Sequence, residues 1–222
     1  MGSTEQGNII EIGGHRVRHG NIYEQDGISQ LMRDDKADIF YSDPPWGPGN
    51  LRFWDTMNKK MNPDARGYEF GFDVDRFLEV VIATAMKYTN GFIVIEYGKR
   101  WSSKLVKLAT SKGLHYCGQV ETLYVGGGKK LPLDIVVFHT AEKRQIDLSS
   151  AYHTMDLTTV KTIFSILRPP VGGIGVDLCC GMGYTAQACM DYGMRFIGNE
   201  LNYKRLQKTI ERIKKHNGHS TS

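Results

Sequence analysis

The 222-residue chain is poor in the residues that staple or anchor a protein: it has four cysteines and seven prolines, and no apolar run approaches the ~18 residues that a membrane-spanning helix needs. Cys117, Cys179, Cys180 and Cys189 form no C-x-x-C pair and have no nearby histidines to complete a zinc pattern, so no metal site is expected. They read as small buried hydrophobes kept as free thiols in a reducing compartment. Residues 1–7 are polar, so no secretory leader is expected and the location reads as cytoplasmic. Charge of one sign is also scarce. Twenty-eight Lys and Arg against 24 Asp and Glu leave +4, which permits an anionic partner without requiring one. There are no repeats or low-complexity tracts, and 41% hydrophobic with 23% charged residues excludes disordered, collagen-like and coiled-coil chains.

What is present is alternation. Short apolar runs at 38–41, 92–97, 119–125, 134–139, 173–180 and 196–201 predict strands, most of them apolar on both faces. Helical periodicity marks 73–88, 102–112, 156–167 and 202–216, with Ser102 as a cap, Gly113 as a stop and Pro169-Pro170 as a terminator. The pattern predicts one α/β domain over 1–222: a mostly parallel sheet with an antiparallel edge hairpin around Lys129-Lys130 and helices on both faces. Residues 47–72 carry no convincing element and read as a substrate loop or lid.

Two segments carry chemistry. In the first, the strand Ile174-Gly175-Val176-Asp177-Leu178-Cys179-Cys180 runs into Gly181-Met182-Gly183 and then a helix beginning Tyr184-Thr185-Ala186. Such glycines let backbone amides approach a ligand. Glu200 follows at the end of the next strand, where an acidic side chain commonly holds ribose hydroxyls. The absence of a third glycine favours a nucleoside ligand over a dinucleotide. In the second, Asp43-Pro44-Pro45-Trp46 follows the strand at 38–41. Two prolines force the chain out of the sheet, so a carboxylate, a proline carbonyl and an aromatic face are held stiffly at a carboxyl edge. An aromatic plane beside two acceptors suits a planar ring bearing an exocyclic amino group.

Asp43-Pro44-Pro45-Trp46 resembles the catalytic tetrapeptide of S-adenosylmethionine-dependent DNA amino-methyltransferases, and 177–183 resembles their cofactor loop. The catalytic segment precedes the cofactor loop, as in the permuted beta group. His19-Gly20-Asn21 is similar to that group's Gly-Asp turn, Phe53-Trp54-Asp55 to its Trp-Asp, and His153-Thr154 to its His-Pro-Thr segment. The resemblance covers about 20–213 and implies a Rossmann-like methyltransferase fold with S-adenosyl-L-methionine as cofactor.

It implies that Asp43, Pro44, Pro45 and Trp46 are catalytic, and that Asn21, Asp43, Asp177, Cys179, Gly181, Gly183, Thr185 and Glu200 bind the cofactor. Trp46, Asn50, Trp54, Lys59 and Lys60 would meet the substrate, with Arg52 and Arg66 on the same segment. The implied reaction is methylation of adenine N6 in DNA, duplex or single-stranded, in the cytoplasm or at the nucleoid. RNA adenine, cytosine N4 and a catalytically silent subunit are the alternatives. Members usually insert a target-recognition region after the last strand, but here only 141–151 separates His139-Thr140 from the segment at His153. A short permissive target, a specificity subunit or a homodimer is therefore expected. The basic face of the last helix, from Lys204 to Lys215, reads as solvating.

Overall fold

The computed structural model describes residues 7–61, 73–126 and 128–219; Arg66 lies outside these, as do the side chains of Lys59 and Lys60. Eight strands form one sheet: β1 (Ile9–Ile12), β2 (His15–His19), β3 (Ala37–Ser42), β4 (Thr89–Gly98), β5 (His115–Gly126), β6 (Lys129–His139), β7 (Ile174–Asp177) and β8 (Arg195–Glu200). Their spatial order is β1-β2-β8-β7-β3-β4-β6-β5. The five central strands β2, β8, β7, β3 and β4 run parallel, while the hairpin β5–β6 and the ribbon β1–β2 make antiparallel edges.

Side chains alternate across the sheet and define two cores. Phe40, Ile93, Ile95 and Phe138 face one side, under α1 (Gln25–Met32), α3 (Val74–Tyr88) and α4 (Ser102–Ser111). Ile39, Tyr41, Val94 and Phe196 face the other, under α5 (Asp156–Leu167), α6 (Tyr184–Asp191) and α7 (Tyr203–His219). Covering both faces explains why β3, β4 and β7 have apolar residues on both sides of the sheet.

Three expectations need correction. Residues 47–61 are not a loop but a helix, α2 (Gly47–Met61). Gly47, Pro48 and Gly49 disguise its start, yet a proline in the first helical turn removes no internal hydrogen bond. The strand expected over 173–180 ends at Asp177, so Cys179 and Cys180 lie in the loop beyond it. Ser102 does not cap α4 from outside; it is the first helical residue, and its hydroxyl donates to the Lys99 carbonyl at 3.0 Å.

No element was expected where β1, β2 and α1 lie. Four of the five residues in His15-Arg16-Val17-Arg18-His19 are polar or charged, yet all five are buried. Burial of two guanidinium groups is tolerable only with partners. Arg16 pairs with Asp35, while Arg18 pairs with Glu24 and donates to Asn199 Oδ1 at 3.0 Å.

Candidate active site

The carboxyl ends of β3, β4, β7 and β8 surround a cleft of about 760 Å³, within the range of small-molecule sites. Both chemistry-bearing segments line it: Asp43 to Trp46 from one side, Asp177 to Met182 from the other. They are joined directly, since Ser42 Oγ donates to Asp177 Oδ1 at 2.9 Å. Parallel strands emerging at the same end bring these segments together despite their separation in sequence.

The glycine loop is built around two carboxylates. Asp177 accepts the Cys179 amide at 3.0 Å and the Thr185 hydroxyl at 2.7 Å. Burial raises Asp177 to about 7, against the lowering effect of these hydrogen bonds. Asp177 and Thr185 thus bind each other and fix the loop's two ends. Glu200 accepts the Gly181 amide through Oε2 and the Asn202 amide through Oε1, each at 2.7 Å. Each oxygen keeps a second lone pair, and the side chain lines the cleft. Gly181 and Gly183 adopt φ of +53° and +80°, a region that costs other L-residues energy. Asn21 lies on the same wall and accepts the Tyr23 amide at 3.0 Å.

Opposite this loop, Asp43 faces the open cleft while protein packs around its other sides. Desolvation raises its carboxyl to about 6, opposed by Arg205 and reinforced by Glu200. Water reaches Asp43 from the cleft mouth, so the full effect of burial belongs to the filled cleft. Pro44 and Pro45 carry the chain to Trp46, whose ring meets Tyr124 edge-on at 5.3 Å. The Trp46 amide donates to Asn50 Oδ1 at 3.3 Å, so Asn50 pins the turn into α2.

Trp54, on α2, lies under the Arg205 guanidinium at 4.3 Å. That contact clamps α2 to the start of α7 beside the glycine loop, and a cation over an indole at this distance is worth roughly 0.5–2 kcal/mol. Arg212 likewise turns to the loop, donating to the Met182 carbonyl at 3.2 Å. The basic face of α7 is therefore not purely solvating.

Sequence reasoning missed several cleft residues: Tyr41, Phe53, Glu96, Asp156 and Arg205 all line it. Glu96 had one usable signal, as the lone acidic residue in the apolar run Phe92-Ile93-Val94-Ile95-Glu96-Tyr97. Burial first, then Asp43, raises it to about 8. Arg205 is the only cation on the wall among the described residues, a wall that also carries Asp43, Glu96, Asp156, Asp177 and Glu200. The excess of basic residues is thus not in the cleft. Lys129 and Lys130 are exposed at the hairpin whose Tyr124, Val125 and Leu131 form part of the rim. His153 and Thr154 do not reach the cleft. They dock on β5 instead, with the Thr154 carbonyl accepting the Leu123 amide at 3.0 Å. Among the described residues no cluster of His, Cys, Asp and Glu fits a metal ion, and no helix is long and apolar enough to cross a membrane.

No protein-family model and no curated protein sequence matches the chain. Solved structures do match in fold. M1.HpyAVI superposes with a TM-score of 0.58 at 17% identity, over 89% of this chain and 98% of its own. TTHA0409 from Thermus thermophilus gives 0.60 at 16%, over 91% and 95% of the two chains. The PvuII DNA methyltransferase, cytosine-N4-specific, gives 0.64 at 9%, over 93% and 91%. M1.HpyAVI and TTHA0409 have both also been solved with S-adenosylmethionine bound. The chain has the Rossmann-like α/β fold of these proteins, a mixed sheet with helices on both faces.

Proposed function

We propose that this protein is an S-adenosylmethionine-dependent methyltransferase acting on the exocyclic N6 amino group of adenine in DNA. The observation that carries the reading is the meeting, in one cleft, of Asp43-Pro44-Pro45-Trp46 with a two-glycine loop backed by Glu200. The fold shared with DNA methyltransferases supports it.

The residues present suit the cofactor. Gly181 brings loop backbone to the cleft wall, Glu200 retains lone pairs for a ribose diol, and Leu178, Cys179 and Leu201 supply apolar wall. S-adenosylmethionine would supply an electrophilic methyl group, so a single in-line displacement needs no covalent enzyme intermediate. Asp43 and the Pro44 carbonyl would accept the two N–H groups of the amine. That contact favours a pyramidal nitrogen and stabilises the positive charge that develops on it. Trp46 would stack on the base, and holding both reactants in one cleft accounts for much of the remaining acceleration. A duplex substrate must first release its base from the stack, at a cost of a few kcal/mol. Exposed Phe53 and Val125 at the cleft mouth offer apolar surface to the strand, and Lys129 and Lys130 offer phosphate contacts without sequence preference. Cytosine N4 presents the same amino group to the same acceptors, and one protein of similar fold is cytosine-N4-specific.

The test is incubation with radiolabelled S-adenosylmethionine and, separately, duplex DNA, single-stranded DNA, RNA and protein, followed by nucleoside mass spectrometry. Label in N6-methyladenine of DNA, lost in Asp43→Ala, is the expected result. Label as N4-methylcytosine corrects the base, and label confined to RNA or protein overturns the reading.

A further inference from the structure

Glu96 has no part in the chemistry above, yet it stands beside its centre. Ser42 and Ile95 are partners in the parallel β3–β4 pair, so the next residues, Asp43 and Glu96, emerge from neighbouring strands at one level. Tyr41, 1% exposed, donates its hydroxyl to Glu96 Oε1 at 2.5 Å. That bond orients the carboxyl group and occupies one of its oxygens. Glu96 itself lines the cleft, whose wall also includes the apolar Leu123 and Leu133.

The titratable groups acting on Glu96 are Tyr41 and Asp43 from β3 and its exit, Asp177 from β7 and Asp156 from α5. Three of the four are carboxyls, none is a cation, and the Tyr41 hydrogen bond, which favours the ionised form, is outweighed by burial and by those carboxyls. Two neighbouring carboxyls on one cleft wall do not both ionise readily, and Glu96, the less exposed of the two, is the one that keeps the proton. At neutral pH the pair therefore presents an acceptor, Asp43, next to a donor, the Glu96 acid.

We propose that Glu96, held by Tyr41 beside Asp43, is a specificity-determining residue that donates a hydrogen bond to the ring nitrogen adjoining the methylated amine, N1 of adenine. The proposal rests on the methyltransferase reading. Acceptor beside donor matches an amino group beside a bare ring nitrogen. Guanine, presented by the edge on which its amino group adjoins N1–H, would bring donor against donor, and a buried mismatch of that kind is strongly rejected. Cytosine, with N3 beside N4, would pass the same filter.

The experiment compares single-stranded oligonucleotides carrying one adenine or one 1-deazaadenine, in which C–H replaces N1. The wild-type chain is expected to lose about tenfold in kcat/KM on the deaza base, the value of one hydrogen bond. Glu96→Leu should be similarly slow on adenine and indifferent to the replacement. Glu96→Gln, whose amide still donates, should keep the discrimination. Wild-type activity should decline above pH 8 as Glu96 ionises, and Glu96→Gln should not show that decline. Equal discrimination by wild type and Glu96→Leu overturns the proposal while leaving the methyltransferase reading intact. Glu96→Gln that loses cofactor affinity in calorimetry, with no change in base discrimination, assigns Glu96 to the cofactor and overturns it too. Absence of transfer by the wild-type chain to any nucleic acid removes the reading and this proposal with it.

Discussion

The indole of Trp46 lies across the bare α-carbon of Gly98. A Cβ built on Gly98 would stand 2.6 Å from Trp46 Cε3 and 3.0 Å from Cδ2. Gly98 ends β4, two residues beyond Glu96, so one strand terminus sets both the plane of the indole and the polar group beside it.

Gly98→Ala is accordingly expected to displace Trp46 without touching the glycine loop. Misplacing a stacking surface by about 1 Å costs up to 100-fold in rate. We expect kcat/KM to fall by about 10- to 100-fold while S-adenosylmethionine affinity, read by calorimetry, stays within about twofold. A parallel loss of cofactor affinity would contradict this division of the cleft.

Glu200 is expected to hold the protein together as well as any ligand. Glu200→Ala leaves the Gly181 and Asn202 amides without their acceptor. An unsatisfied buried donor costs about 1–3 kcal/mol, so the melting temperature should drop by roughly 2–12 °C even in cofactor-free protein. Glu200→Gln, which keeps one oxygen, should fall between. An unchanged melt in Glu200→Ala would show that the loop does not depend on this carboxylate.

Arg205 opposes the rise that burial imposes on Asp43. Removing the cation in Arg205→Met should therefore move Asp43 further up. Since the ionised carboxylate is the form that accepts the amine protons, the acidic limb of the pH–kcat/KM profile should shift to higher pH. A shift to lower pH, or none, would separate Arg205 from Asp43 energetically.

His15 predicts an acid lability unrelated to activity. Its Nδ1 accepts the Phe196 amide at 3.0 Å, and burial, with lesser contributions from His216 and Arg195, holds its value below 6.5. The unfolded chain takes up this proton near 6.5 and the folded chain only at lower pH. Stability thus falls as pH drops through and below 6.5, and the loss is complete once pH passes the folded value. Thermal melts between pH 7.5 and 5 should show the fall in wild type and a smaller one in His15→Gln.

Much of the parallel sheet was legible because its strands are apolar on both faces, as Ile39, Phe40 and Tyr41 illustrate. The two chemistry-bearing segments were legible because prolines and glycines restrict the backbone locally, whatever surrounds them. β2 was not, because buried Arg16 and Arg18 look like surface residues until Asp35, Glu24 and Asn199 are brought to them. α2 was hidden behind Gly47 and Pro48, residues that usually mark a loop.

The sequence by itself determined the strand-helix alternation, the two exits from the sheet and the identity of the groups they carry, since each depends on residues adjacent in the chain. Only the tertiary structure decided that Glu96 stands beside Asp43 and bonds to Tyr41, that Glu200 ties the loop through Gly181, and that Arg205 sits over Trp54. Those relations depend on which strands are neighbours and on how far water is kept from their ends. Neither is recorded in the order of residues along any one segment.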